Sequence, residues 1–212
     1  MKKTLTDIDG NVYNTVQIGD QVWMAENLKV RHYNDGTEIP TGHSDEEWAD
    51  LETGAYADYD DNKSNADTYG RLYNWFAVGT GNLAPEGWHV PTDEEWKELE
   101  MALGMSENDA NEDEDRGTDQ GSQLAGNADL WDDGDLKNNA NFGTSGFNAL
   151  PGGYRYYFYG GYNSMGYGGY FWSFTEHGSY DAWYRKLHYY GSEMRLSYYS
   201  KDFGFAVRLV MD

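Results

Sequence analysis

The sequence predicts an α+β fold in which helices pack against a largely antiparallel sheet. Three observations lead to this prediction. Glycine is abundant and proline scarce, with 26 and 4 among 212 residues, which favours short strands and turns over a helical bundle. Residues 180–200 alternate residue by residue, with aliphatic side chains confined to one row, as in a strand. Residues 92–103 instead place apolar side chains at helical spacing.

The amino-terminal part predicts a hairpin and a short helix. Asp-Gly at 9–10 and Gly-Asp at 19–20 are turn signals among strand-forming residues, so we expect a hairpin within residues 6–23. Ser44 can cap a helix in which Glu47 occupies the capping-box position. This segment therefore predicts a helix of a few residues.

Two further helices are expected in the middle of the chain. Residues 71–78 are mostly apolar and predict a buried helix. Residues 92–103 predict a second helix, because Thr92 is a strong cap, Glu95 follows three residues later and Gly104 is a natural stop. The apolar stripe of this second helix consists of Trp96, Leu99 and Leu103.

The length fits one large domain or two small ones, and we expect a single domain over residues 1–212. Residues 105–147 are rich in Asn, Asp and Gly, which predicts a long loop insertion. Within it, residues 123–125 and 130–131 are expected to touch the core. The glycine pairs at 160–161 and 168–169 are predicted to form turns.

Tyrosine is concentrated in the carboxyl-terminal quarter, where thirteen of the nineteen tyrosines follow Leu150. Strand alternation divides residues 183–199 into two rows. The row with the aliphatic anchors holds Trp183, Arg185, Leu187, Tyr189, Met194, Leu196 and Tyr198. The other row holds Tyr184, Lys186, His188, Tyr190, Arg195, Ser197 and Tyr199. Because the anchors should face the core, we expect the second row to point outward.

We predict that this outward row and nearby aromatic residues bind a ligand. Tyr mixed with Ser, Gly and His is typical of antibody binding surfaces, where tyrosine brings a large contact area at low entropic cost. The alternative is that these tyrosines pack at a sheet edge or beneath a loop. The predicted ligand-binding residues are Tyr157, Tyr159, Phe174, His177, Tyr180, Tyr184, Lys186, His188, Tyr190, Arg195, Ser197 and Tyr199.

Charge and hydropathy narrow the range of partners. A net charge of −22 and a pI near 4.3 argue against nucleic acid or an anionic membrane. No apolar run has the length of a membrane span, so we expect no membrane insertion. Residues 1–3 could begin a signal peptide, but residues 4–7 are too polar to continue one. The chain as given is therefore expected to be either non-secreted or already trimmed of its leader.

Residue types that carry catalysis or bind metals are few or poorly spaced. The absence of cysteine excludes disulfides, thiolate metal ligands and a thiol nucleophile. The five histidines, His32, His43, His89, His177 and His188, show no ligand-like spacing. The acidic stretches at 58–62 and 108–113 lack the register of an EF-hand. We expect no catalytic residue, no cofactor and no metal, with a structural or adventitious calcium ion as the alternative.

Six motifs follow one another across nearly the whole chain. They are WMAENL at 23–28, YGRLYNW at 69–75, GWHVPTDEEW at 87–96, LPGGYR at 150–155, WSFTE at 172–176 and GFAVR at 204–208. Together they resemble the Fibrobacter succinogenes major paralogous domain family. The resemblance implies a C-type-lectin-like fold, related to that of the formylglycine-generating enzyme. In that fold we expect residues 16–23 to lie near residues 205–210.

The resemblance also implies where such a protein is found and how its sequence could vary. Members are mostly secreted or surface-attached proteins of gut bacteria, and some relatives are variable proteins of diversity-generating retroelements. Adenine-directed mutagenesis in those systems can turn an AAC or AAT codon into Tyr, Ser, Asp, His, Gly or Phe. Residues of these types on the predicted outward row are Tyr184, His188, Tyr190, Ser197 and Tyr199. Lys186, Glu193 and Arg195 depart from the pattern.

The leading hypothesis is a non-enzymatic recognition module on a cell surface or virion, which binds a protein or glycan receptor or serves in adhesion. One alternative is a degenerate enzyme of the formylglycine-generating type. The cysteine pair that the resemblance implies for its copper chemistry is missing here, so that mechanism is excluded. The other alternative is a structural surface-protein domain whose tyrosines pack against a neighbouring domain.

Overall fold

A computed structural model describes residues 4–212, and residues 1–3, discussed above as a signal-peptide start, lie outside the described residues. The described chain combines seven helices and thirteen strands, which confirms the α+β class. The helices are α1 (Asp45–Ala49), α2 (Lys63–Tyr69), α3 (Trp75–Val78), α4 (Asp93–Ala102), α5 (Glu107–Ala110), α6 (Gln120–Leu124) and α7 (Asp135–Asn138). The strands are β1 (Thr4–Thr6), β2 (Val12–Ile18), β3 (Gln21–Met24), β4 (Tyr56–Ala57), β5 (Leu72–Tyr73), β6 (Trp88–His89), β7 (Glu114–Arg116), β8 (Gly152–Arg155), β9 (Tyr162–Met165), β10 (Gly168–His177), β11 (Asp181–His188), β12 (Met194–Ser200) and β13 (Val210–Met211).

The first sheet brings the two ends of the chain together. Its strand order is β1-β2-β3-β13-β6. Strands β2 and β3 form the predicted hairpin, and Val210 of β13 pairs with Trp23 of β3 and with His89 of β6. The expected proximity of residues 16–23 and 205–210 is therefore confirmed.

The second sheet has the order β7-β12-β11-β10-β8-β9 and comes mostly from residues after 150, as predicted. Its neighbours are antiparallel except β10 and β8, which run parallel at Gly169 and Gly153. Hydrophobic residues cover much of both faces. On one face Leu187 packs in the cluster around α4, and on the other Trp172 packs against Phe205, with ring centroids 4.4 Å apart.

The capped helices form where the sequence predicts them. In α1 the Ser44 side chain accepts from the backbone of Glu47, and the Glu47 side chain accepts from the backbone of Ser44. Thr92 and Glu95 form the same reciprocal pair at the start of α4. Each cap satisfies backbone N–H groups that a helix leaves unpaired at its amino end.

The predicted helix over residues 71–78 is wrong in its first half. Leu72 and Tyr73 form β5, and only α3, from Trp75 to Val78, is helical. The reason is pairing with other segments of the chain. Strand β5 pairs antiparallel with β4, and Tyr73 also exchanges two backbone hydrogen bonds of 2.8 and 3.0 Å with Phe205. Asn74 then starts the helix, since its side chain accepts from the backbone of Ala77.

Residues 105–147 contain more regular structure than a loop. They include α5, α6 and α7, and β7 extends the edge of the second sheet beside β12. Leu124, Ala125 and Trp131 are buried, as predicted for the points of contact with the core. Arg116 of β7 also reaches Glu100 of α4, which ties this segment to the longest helix.

The two glycine pairs differ in role. Residues 168–169 do not form a turn but begin β10, where both are buried. Gly160 directly follows the turn of residues 157–159, at φ +65°, and a Cβ there would collide with the Asp45 carbonyl oxygen. Only glycine allows residues 156–161 to pack this closely on the start of α1.

No helix within residues 4–212 is both long enough and apolar enough to cross a membrane.

Candidate ligand-binding face

Six of the predicted site residues lie on one side of β11 and β12 and in the turn between these strands. We call this set the tyrosine face: Lys186, His188, Tyr190, Arg195, Ser197 and Tyr199. The strand register places Lys186 opposite Arg195, and Ser197 opposite Tyr184. Directly opposed residues of an antiparallel pair point to the same side. The alternation read from the sequence therefore assigns these residues to one face.

Tyr184 belongs to the same row, but the expectation that it points outward into solvent is wrong. Its exposure is 2%. Its ring stacks on Tyr199 at 5.2 Å and lies 4.9 Å from Phe205, which arrives from the segment after β12. Burial raises the pKa of the Tyr184 phenol, and the charge that Tyr199 would carry when ionised adds to this. Tyr184 is thus the buried support of the face.

The two tyrosines at the surface of the face are Tyr190 and Tyr199, with exposures of 52% and 45%. Tyr199 is held between two rings, since it stacks on Phe203 at 4.6 Å as well as on Tyr184. Tyr190 packs on His188, with ring centroids 3.8 Å apart. Both exposed rings are therefore fixed by contacts on their inner sides, which limits the entropy that they lose on binding a ligand.

The charged groups of the face differ in their pairing. Arg195 binds Asp115 at 3.1 Å and also contacts Glu114. The Lys186 ammonium lies 5.4 Å from the centre of the Tyr170 ring and has no ion-pair partner within the described residues. Burial lowers the pKa of Lys186. Burial, with the nearby Lys186 charge, also lowers the pKa of His188 to about 4, so this imidazole is neutral at physiological pH.

A second feature adjoins the tyrosine face. We call it the aromatic cleft, a cavity of about 460 Å³ lined by Tyr154, Tyr156, Tyr159, Gly161, Tyr162 and Asn163. Two contacts connect it to the face. The Tyr154 ring lies 4.9 Å from Tyr170, and the Tyr156 ring lies 5.4 Å from Phe203, on which Tyr199 stacks. The face and the cleft are therefore connected through the rings of Tyr170 and Phe203, which are both buried.

Arg155 holds the loop that forms the cleft. Its side chain is fully buried, and its Nε donates to the Gly160 carbonyl oxygen at 2.6 Å. Its Nη2 donates to the His43 carbonyl oxygen at 2.8 Å, and its guanidinium lies 4.4 Å from the centre of the Trp48 ring. A buried arginine therefore ties residues 156–161 to the segment before α1.

The other predicted site residues fall into two groups. Tyr159 lines the aromatic cleft and stacks on Tyr156 at 5.8 Å, and Tyr157, in the same loop, packs on Phe203 at 5.0 Å. The remaining three, Phe174, His177 and Tyr180, lie elsewhere. His177 stacks on Tyr198, in the opposite row of β12, at 3.7 Å.

Phe174 and Tyr180 lie apart from the tyrosine face. The ring of Phe174 is 6.4 Å from that of Trp75. Tyr180, 82% exposed, lines a separate cleft of about 510 Å³ with Lys201 and Asp202. The twelve predicted residues are therefore not one contiguous site.

The prediction from sequence missed Tyr154, Tyr156, Tyr162 and Asn163. The density of tyrosine over residues 154–162 was a visible signal. Strand alternation could not place these residues, because Tyr156 and Tyr159 lie in an irregular loop between β8 and β9. Within residues 4–212 no group of three or more histidine, aspartate or glutamate side chains is arranged to hold a metal ion.

The fold and the site define an α+β domain whose second sheet carries the tyrosine face, with the aromatic cleft beside it. The chain belongs to the Fibrobacter succinogenes major domain family, whose sequence model matches residues 16–211. This match confirms the family resemblance seen in the six motifs. No curated protein matches the chain. No solved structure matches it either.

Proposed function

We propose that this chain is a non-enzymatic recognition domain that binds a protein or glycan receptor through the tyrosine face. The observation that carries the proposal is the exposure of Tyr190 and Tyr199 on strand β12 and its turn, above the buried ring of Tyr184. Tyrosine is enriched among the residues that dominate binding energy, because it offers a large amphipathic surface with few rotatable bonds.

The rigidity of the face supports the proposal. Tyr199 stacks between Phe203 and Tyr184, and Tyr184 stacks in turn on Tyr170 at 6.2 Å. A site built on strands and supported by packed rings loses little entropy when a ligand binds.

The proposal also covers the fold family of the domain and its location. The pairing of Val210 with Trp23 joins the two ends of the chain, as the C-type-lectin-like fold implied by the family resemblance requires. We assign the domain to that fold. Since its exposed aromatic rings suit contact with an external partner, we place it on a cell surface or a virion, where it serves in adhesion or receptor binding.

Diversification by a retroelement is the further part of this proposal. His188, Tyr190, Ser197 and Tyr199 are residue types that adenine-directed mutagenesis of an AAC or AAT codon produces, and all four lie on the tyrosine face. The surrounding DNA tests the idea. A near-repeat of the last coding segment beside a reverse-transcriptase gene is expected, and its absence would reject diversification while leaving receptor binding untouched.

The binding function is tested with the purified chain on a glycan array and against a displayed protein library. Replacing Tyr190 or Tyr199 by Ala should weaken capture of any ligand found. Tyr180→Ala is the matched control, because Tyr180 is the most exposed of the tyrosines and lies outside the face. Equal capture by all three variants and the unaltered chain would contradict the proposal.

A further inference from the structure

The aromatic cleft is uncharged in a strongly acidic protein. The chain has 37 acidic and 15 basic residues, yet the six residues that line the cleft in the described structure are four tyrosines, a glycine and an asparagine. Its volume of about 460 Å³ is that of a site for a small ligand. The lining holds no basic side chain that could pair with an anionic group, so this cleft favours a ligand without negative charge.

The two carboxylates beside the cleft are already engaged. The Tyr162 hydroxyl donates to Asp61 at 2.6 Å. Asp45 accepts a weaker hydrogen bond of 3.4 Å from Arg155. Neither acid lines the cavity, and each accepts a hydrogen bond from a side chain of the protein. They therefore orient the walls of the cleft.

Aromatic rings form the apolar part of the lining. Tyr156 and Tyr159 stack at 5.8 Å with 29° between their planes, and Tyr154 lies 6.3 Å from Tyr156. Tyr159 is 70% exposed, so much of its ring is open to a ligand. The face of an aromatic ring carries partial negative charge. It attracts the weakly positive C–H groups on the flat side of a sugar ring.

Unpaired polar groups stand among these rings. Asn163 accepts from the Ser164 hydroxyl at 3.0 Å through Oδ1, and its Nδ2 donors have no partner within residues 4–212. The hydroxyls of Tyr156 and Tyr159 likewise have no protein partner in the described chain. A phenol both donates and accepts, and an amide nitrogen donates twice. Together they match a ligand that carries many hydroxyl groups.

We propose that the aromatic cleft binds a neutral saccharide, with the ring of Tyr159 packed on one sugar and Asn163 donating to its hydroxyls. This inference rests on the proposed recognition function and names the ligand class of the surface beside the tyrosine face. An acidic sugar lacks a basic side chain to meet it in this lining. The Lys186 ammonium lies on the tyrosine face, 5.4 Å from the centre of the Tyr170 ring, and Lys186 does not line the cleft.

The test uses three neutral trisaccharides as probes: cellotriose, maltotriose and the trimer of N-acetylglucosamine. Saturation-transfer NMR detects contact, and titration calorimetry measures the dissociation constant. At least one probe should bind the unaltered chain at millimolar concentration. Tyr159→Ala and Asn163→Ala should each weaken binding about tenfold, as expected for a contact worth about 1.4 kcal/mol. Tyr159→Phe should retain most of the affinity, and Tyr180→Ala should retain all of it.

Two results would overturn the saccharide inference. One is that none of the three probes binds. The other is that galacturonic acid trimer or a short peptide competes better than every neutral probe. The ligand found on the arrays separates this inference from the recognition function. If its capture depends on Tyr190 and Tyr199 but not on Tyr159 and Asn163, the recognition function stands and the saccharide inference fails. If no variant of either set changes capture, both fail.

Discussion

Arg185 of β11 and Glu100 of α4 form an ion pair of 2.7 Å between Nε and Oε1, and both side chains are fully buried. Arg116 contacts the same carboxylate, and Asp93 binds Arg185 at 2.6 Å. The attraction of Arg185 and the donation from its guanidinium, acting against burial, lower the pKa of Asp93. This network fixes the longest helix to the middle of the sheet that carries the tyrosine face.

Glu100→Gln should therefore lower the free energy of unfolding by about 3–5 kcal/mol, because it leaves buried guanidinium groups without their countercharge. Urea unfolding monitored by circular dichroism measures this. Glu94→Gln is the control, since Glu94 is an exposed partner of Lys97 and should change stability by about 0.5 kcal/mol at most. Equal midpoints for the two variants would show that the buried pair does not stabilise the fold.

Tyr184→Ala should cost about 3–5 kcal/mol of unfolding free energy, as truncations of large buried aromatic side chains do. The ring fills the space between Tyr199, Tyr170 and Phe205. Tyr184→Phe keeps the ring and should cost much less. Thermal melts of the two variants provide the test. A Tyr184→Ala variant as stable as the unaltered chain would contradict the burial described above.

Truncating the exposed tyrosines should affect binding more than folding. Tyr190→Ala and Tyr199→Ala should each weaken binding of the captured receptor by about 1–3 kcal/mol. Tyr190→Ala should change stability by about 0.5 kcal/mol or less. Tyr199→Ala should cost about 0.5–1.5 kcal/mol, because its ring stacks on Phe203. Paired melting and binding curves check this, and early melting without loss of affinity would count against it.

His89 should make stability fall as pH rises. Burial alone lowers its pKa, but hydrogen bonds of 2.6 Å to Asp212 and 2.7 Å to Glu95 outweigh burial and raise the pKa above its ordinary value. The folded state then holds a proton that the unfolded state has lost. The stabilisation is complete below about pH 6.5 and disappears as pH rises through the folded pKa. Denaturant unfolding across this range should show the loss, and His89→Gln should abolish it.

His188 should act in the opposite direction. Its folded pKa of about 4 lies below the ordinary value, because burial and the Lys186 charge disfavour the imidazolium. The unfolded state therefore binds the proton first, and stability falls as pH drops from about 6.5 toward 4. The other charged or titratable groups near it are Tyr189, Tyr190, Asp115, Glu193 and Arg195. His188→Gln should flatten this part of the profile. If the His188→Gln variant lost as much stability as the unaltered chain when the pH falls over this range, the prediction would be wrong.

Local sequence determined the elements whose stabilising groups are close in the chain. The reciprocal caps of α1 and α4 each need only residues three positions apart, Ser44 with Glu47 and Thr92 with Glu95. The alternation of β11 and β12 was readable for the same reason, because side-chain direction in a strand has a period of two. The family, too, follows from short motifs that stand in order along the chain.

The sequence by itself therefore determined the α+β class, the capped helices and the row that forms the tyrosine face. Only the tertiary structure decided which members of that row are accessible. Tyr184 and Tyr199 have the same residue type and the same row, but Phe205 covers Tyr184 and leaves Tyr199 at the surface. Leu72 and Tyr73 became a strand by pairing with β4, and Tyr73 also pairs with Phe205. Arg155 shaped the aromatic cleft by reaching Gly160 and His43. The pairing with Phe205 joins residues more than a hundred positions apart, as does the Arg155–His43 hydrogen bond. Local propensity carries no information about such contacts, because their free energy arises only when the distant segments pack.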